Sequence, residues 1–394
     1  MLDRQIFSIL LQPIKLDLHL SDTQMGFVTG GAFAIIYTIA GFPLSRAVDA
    51  GNRRSILAAT LIVWSFMTMS CGLARNYFVL LFARMGVGIG EAGSLPATMS
   101  TIADQYPPQS RSGAVGLIYL CTMVGTATSL ALGGYLESKI GWRPTLFVVG
   151  APGLALALLF LFTTRDPKPL HREGPRERLL PALRGVWRVP TFRLLAVMST
   201  LFVFFAGSIV GWAPTFLERV HRTPIREVGQ ALGIAMLFGA AGALAFGKLA
   251  DYLAKRDFRY LVAILGIGPL FALPPLLFFL YGSGFLPVIG SYLLIQFFAS
   301  AFLGPSYALA VSVAPKRSRA FAIAILALFQ NLGGLALGPL VIGVLNDTLA
   351  PRFGQLAIRY SLSVIGIVLV AIALIGILMW RTVLADIAKV EAAA

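Results

Sequence analysis

Arg84-Met-Gly-Val-Gly-Ile-Gly-Glu91-Ala-Gly lies in an apolar run, residues 76–103, that contains no other charged side chain. Residues seven apart in an α-helix complete almost two turns, so Arg84 and Glu91 share one face, roughly 10 Å apart along the axis. An ionisable side chain at bilayer depth costs at least ~2.5 to 3.5 kcal/mol, and such groups turn inward toward a partner or a ligand. The run therefore reads as a membrane helix that lines a path. Gly86, Gly88 and Gly90 imitate a dinucleotide fingerprint, but they follow no strand and lie in a membrane helix, so that reading is discarded.

Working outward, further windows free of Asp, Glu, Lys and Arg cover 23–45, 55–74, 112–136, 144–164, 194–217, 228–247, 260–315, 320–346 and 360–380. Each can cross a hydrocarbon core of about 30 Å, which takes ~20 helical residues. Tyr281-Gly-Ser-Gly284 breaks the longest window in two, which brings the spans to eleven. A twelfth is half present: 1–14 is apolar apart from Asp3 and Arg4, yet the helical residues before Gln12-Pro13 would cover only about 15 to 20 Å. The chain is expected to be an N-terminally truncated form, or one with a mis-assigned start, whose natural first helix carries more apolar residues. The expected class is an all-α membrane protein of twelve helices, with 57% hydrophobic and 12% charged residues and a mean hydropathy of +0.82.

The net charge of +15 invites a nucleic-acid reading, and its distribution opposes one. With alternate connections assigned to one side, 21 of the 32 Lys and Arg fall with Arg53, Arg54, Lys255, Arg256, Lys316 and Arg317, against 9 on the other side. That bias places both termini in the cytoplasm of a plasma (inner) membrane, with basic loops facing anionic lipid headgroups. Membrane lipids are thus expected partners, nucleic acid is not, and the chain is expected to act as a monomer. Cys71 and Cys121 read as small apolar fillers, so no disulfide or metal site is expected. No cofactor motif is visible, and without a Gly-x4-Gly-Lys-Ser/Thr loop the sequence has no ATP engine. The spans offer no constellation of nucleophile, base or metal ligand, so an enzyme is not expected. His19, His171 and His221 fall in loops, which argues against a membrane-embedded histidine relay.

The two halves repeat. Ser45-x3-Asp49-x3-Arg53-Arg54 returns as Gly247-x3-Asp251-x3-Lys255-Arg256, and Ser129-Leu-Ala-Leu-Gly133 returns as Gly334-Leu-Ala-Leu-Gly338. Pro107 to Arg111 likewise matches Pro315 to Arg319. The chain is an internal duplication running in one direction: 1–164 as one six-helix half, 165–193 as a basic cytoplasmic linker, and 194–394 as the second half with a short tail. Within the linker, 179–187 is expected to form amphipathic interfacial structure.

Duplicated six-helix halves with Asp-x3-(Arg/Lys)-Arg loops resemble the major facilitator superfamily, over essentially the whole chain. Within it, Leu2-Asp3-Arg4-Gln5, Arg84-x-Gly-x-Gly-x-Gly90-Glu91-Ala-Gly and Ala103-Asp104-Gln-Tyr-Pro-Pro-Gln-Ser-Arg111 look like the spinster family. The Asp-Arg pair and Gly-Glu-Ala element are also similar to those of anion:cation symporters. Ser45, Ala50 and Asn52 depart from the usual loop, while Asp49, Arg53 and Arg54 keep their places.

The resemblance implies a proton-linked secondary transporter for an amphiphilic, lipid-like anion, such as a lysophospholipid or sphingoid-base phosphate. The alternatives are a small organic-anion:proton symporter or multidrug exporter, and, in another class, a non-transporting membrane sensor. In the superfamily fold, the first and fourth helices line one cavity, which would gather Asp3, Arg4, Arg84 and Glu91. Arg4 and Arg84 would offer forks for phosphate or carboxylate, and Glu91 would take the proton. Asp49, Arg53, Arg54, Asp251, Lys255 and Arg256 would form a cytoplasmic gate. Gln296, Tyr307, Gln330 and Asn331 are the polar candidates of the second half, equally suited to bonds between helices. A charge network that only packs helices is the bland reading of the four ionisable residues.

Overall fold

The computed structural model describes residues 2–49, 53–107, 111–164, 179–315 and 318–392, which are helical nearly throughout and contain no strand. The first span is divided into α1 (Leu2–Ile9) and α2 (Leu11–Asp17). The second opens at α3 (Asp22–Gly26), where Ser21 and Gln24 exchange side-chain and backbone hydrogen bonds as a capping box. A π-helical turn, Phe27–Gly31, carries it into α4 (Ala32–Asp49). Then follow α5 (Arg53–Gly72), the pair α6 (Tyr77–Ala92) and α7 (Ser94–Gln105), α8 (Arg111–Ile140) and α9 (Trp142–Thr163). The connection between the two sets of six spans contains α10 (Leu179–Trp187), the segment expected to be amphipathic.

The second set comprises α11 (Pro190–Val220), α12 (Ile225–Ala254), α13 (Arg259–Leu270) with α14 (Leu273–Tyr281), and α15 (Phe285–Ala299) with α16 (Leu303–Val313). It closes with α17 (Arg319–Phe329) and α18 (Leu337–Phe353), joined through a π-helical turn at Gln330–Leu335, and with α19 (Ala357–Ala392). Among the described residues, ten stretches are long and apolar enough to cross a membrane; the last, Phe321–Val390, holds two spans joined through the turn at Gly354, whose φ is +56°. With the short first helix, the architecture is the expected twelve-helix, all-α membrane fold.

Four of the interruptions share a cause. A proline ring collides with the carbonyl four residues earlier and brings no N–H of its own. Pro13, Pro96, Pro274 and Pro339 stand four residues after Ile9, Ala92, Leu270 and Leu335, the last residues of α1, α6, α13 and the second π-turn.

The helices group into two compact units: Met1–Glu173 with Gly211–Gly233 and Pro339–Thr348, and Gly174–Val210 with Ile234–Gly338 and Leu349–Ala394. In the first, α5 packs on α9 and α6, and α1 packs on α8. In the second, α13 packs on α19, and α10 lies on α17 with Trp187 stacked on Phe329 at 5.3 Å. There the buried Asp386 of α19 accepts the Thr191 N–H at 2.9 Å and the Thr191 hydroxyl at 2.7 Å, capping the first turn of α11.

Candidate functional site

The sequence of α6 brings an arginine and a glutamate into the first unit's interior by giving the helix small faces on two sides. A Cβ at Gly90 would lie 2.5 Å from the backbone nitrogen of Trp64, and one at Gly86 would lie 2.5 Å from Met67 Sδ, so both let α6 press against α5. Gly88 faces the other way, where a Cβ would come within 3.1 Å of the Phe33 carbonyl on α4. The alternating glycines are therefore close-packing surfaces, and α6 is wedged between two helices.

Arg84 is 2% exposed and Glu91 5%. The Arg84 guanidinium carbon lies 4.4 Å from the centre of the Phe7 ring of α1 and 5.5 Å from that of Phe33, which stacks on Tyr37 at 5.7 Å. Ring faces attract a desolvated cation by ~2 kcal/mol, which offsets part of the hydration Arg84 has lost. Glu91 sits in the last turn of α6, beside the break that Pro96 imposes; the Ser94 hydroxyl donates to the Glu91 backbone carbonyl at 2.7 Å. The sequence reading took 76–103 as one continuous helix, and the break is the main local departure from it. Asp3 and Arg4 belong to α1, but their side chains lie outside the described residues.

A second buried polar cluster in the same unit surrounds Asp22, which is 2% exposed. Arg219 of α11 grips its carboxylate with both terminal nitrogens, at 2.5 and 2.7 Å, and Lys15 of α2 adds a bond at 2.5 Å. Gln12 accepts from Arg219 at 2.9 and 2.7 Å. Asp347 of α18 accepts the backbone N–H groups of Asp22 and Thr23 at 3.0 and 2.8 Å, placing a carboxylate at the amino end of α3. Sequence reasoning assigned none of these residues a role. A charge at the very end of an apolar window reads as loop, although the coincidence of Asp22, Arg219 and Asp347 at span ends was a usable signal.

Of the expected gate residues, Asp49 ends α4 with its side chain outside the described residues, Arg53 is buried and Arg54 half-buried at the start of α5, and Asp251, Lys255 and Arg256 are exposed at the end of α12. Arg256 bonds the Tyr252 hydroxyl. In the second unit, the Tyr307 hydroxyl donates to Gln330 Oε1 at 2.7 Å, Gln330 and Asn331 open the π-turn, and Gln296 of α15 reaches Met236 Sδ at 3.4 Å. No group of three or more His, Cys, Asp or Glu suited to a metal occurs among the described residues.

The family described as Major Facilitator Superfamily matches residues 1–334. An MFS-type efflux pump of Mycolicibacterium smegmatis is 35% identical over 91% of this chain and 84% of its own length. Protein spinster homolog 1 of Xenopus tropicalis is 26% identical, covering 89% of this chain and 72% of the relative. Among solved structures, a bacterial homolog of the human lysosomal transporter spinster, in an inward-facing and unoccupied conformation, matches with a TM-score of 0.89 at 28% identity, over 98% of this chain and 95% of that one.

Proposed function

The chain belongs to the Major Facilitator Superfamily, and on that premise we propose that it moves an amphiphilic, lipid-like anion by alternating access, linked to protons at Glu91. The protein is an integral, multi-pass membrane transporter and not an enzyme. The observation that carries the proposal is the burial of Arg84 and Glu91 on one face of α6, with Arg84 backed by Phe7 and Phe33. A guanidinium fork pairs bidentately with phosphate or carboxylate, and the aromatic rings beside it suit a hydrocarbon chain. Ionised Glu91, two turns along the same face, repels the anionic head that Arg84 holds, and protonated Glu91 does not. The Asp22 cluster would serve as a latch that must open in each cycle, and Asp49, Arg53, Arg54, Asp251, Lys255 and Arg256 as its cytoplasmic counterpart. Gln296, Tyr307, Gln330 and Asn331 would supply the second half's polar contacts.

Flux of a lysophospholipid and of sphingosine phosphate into proteoliposomes, across a pH gradient, tests this. The expected result is saturable, pH-dependent flux that loses its pH dependence in Glu91→Gln and falls at least tenfold in Arg84→Ala. Normal transport by both variants would make the pair structural. The 35% identity to an efflux pump favours a second reading, export of drug-like amphiphiles; extrusion of a cationic dye, with no lipid flux, would select it.

A further inference from the structure

On the α5–α9 flank of the first unit, beside the connection from α5 to α6, the chain leaves a groove of about 610 Å³. Leu73, Pro144, Phe147 and Val148 make its apolar wall, and Arg75 and Arg143 border it. Leu73 is 63% exposed and Val148 47%, on a protein whose exposed apolar surface faces hydrocarbon. Arg143 is fixed in place rather than mobile. Its Nη1 donates to the carbonyls of Gly72 at 3.2 Å and Ala74 at 2.5 Å, its Nη2 pairs with Asp17 at 2.8 Å, and its guanidinium lies 4.3 Å from the Trp142 ring centre. Trp at a span end marks headgroup depth.

We propose that this groove binds one anionic phospholipid of the surrounding bilayer, its phosphate on Arg75 and Arg143 and its acyl chain along Leu73, Phe147 and Val148. Three features select that occupant. Two cations face one carboxylate, Asp17, which is 47% exposed and so a weak, screened competitor for Arg143. No ion pair engages Arg75 among the described residues. A soluble anion would leave the apolar wall uncovered, whereas a lipid covers wall and charge together. The site differs from the transport site in its helices and its residues, since Arg84 looks to α1 and α4.

The test is native mass spectrometry of the full chain in mild detergent, titrated with phosphatidylglycerol, phosphatidylcholine or inorganic phosphate. Saturable retention of one phosphatidylglycerol is expected, weakened severalfold by Arg75→Ala, as for one lost ion pair at a partly exposed site, and further by Arg75→Glu. Asp17→Asn frees Arg143 and is expected to tighten binding. Arg143→Ala also uncaps α5, so the Arg75 variants carry the decision. Equal retention of phosphatidylcholine, displacement by inorganic phosphate at equal concentration, or unchanged binding by Arg75→Glu would overturn the assignment.

Discussion

Asp22 shows what a single residue can demand of a membrane protein. Its carboxylate is out of water and is held by Arg219, Lys15 and the geometry that Asp347 and Gln12 impose. Removing one partner from such a group leaves an uncompensated buried charge, which costs about 3 to 5 kcal/mol. Asp22→Asn and Arg219→Ala are each expected to lower the midpoint of thermal unfolding in micelles. The double variant is expected to lose less than the sum, because Asp22→Asn strands the Arg219 cation that the second change removes, while Lys15 loses its carboxylate in either variant that lacks Asp22. Additive losses would show that the two side chains do not act as a pair. At this scale the sequence was legible where a charge interrupted an apolar run, as at Arg84 and Glu91. It was illegible at Asp22, where the charge falls at the run's edge and only its distant partners, 197 and 325 residues on, reveal that it is buried.

Elements tell a different story, because hydropathy reads where a helix lies in the membrane but not where it breaks. Eleven spans are legible as apolar runs, while the interruptions at Leu10, Gly93 and Phe271–Ala272 follow from a proline four residues past each helix end, a signal of a different kind. The Gly86, Gly88 and Gly90 series reads in sequence as part of a membrane helix, yet its role as a packing surface needed the neighbouring helices. Gly90→Ala puts a methyl 2.5 Å from the Trp64 backbone nitrogen, where no flexible tip can give way. A loss of about 1 to 3 kcal/mol is expected in a denaturation series, larger than for Gly116→Ala, where a Cβ meets nothing within 4 Å. Equal effects at the two sites would mean that α6 and α5 do not meet so closely.

For the whole molecule, the duplication and the charge bias were readable from sequence because both are patterns over hundreds of residues, insensitive to any local misreading. The bias makes a prediction of its own: a fluorescent protein fused after Ala394 is expected to fold and glow, and an alkaline phosphatase fused there to stay inactive, since both report a cytoplasmic end. The reverse pair of results would invert the topology. The Asp22 cluster also carries a meaning for how the molecule is made. At roughly 5 to 20 residues per second, Arg219 leaves the ribosome about 10 to 40 s after Asp22, and Asp347 about 16 to 65 s after it. Among the partners described for Asp22, Lys15 alone is already synthesised when Asp22 emerges. Lys15 is thus the one partner described for Asp22 that is available to its carboxylate while the chain between Asp22 and Arg219 is still being made.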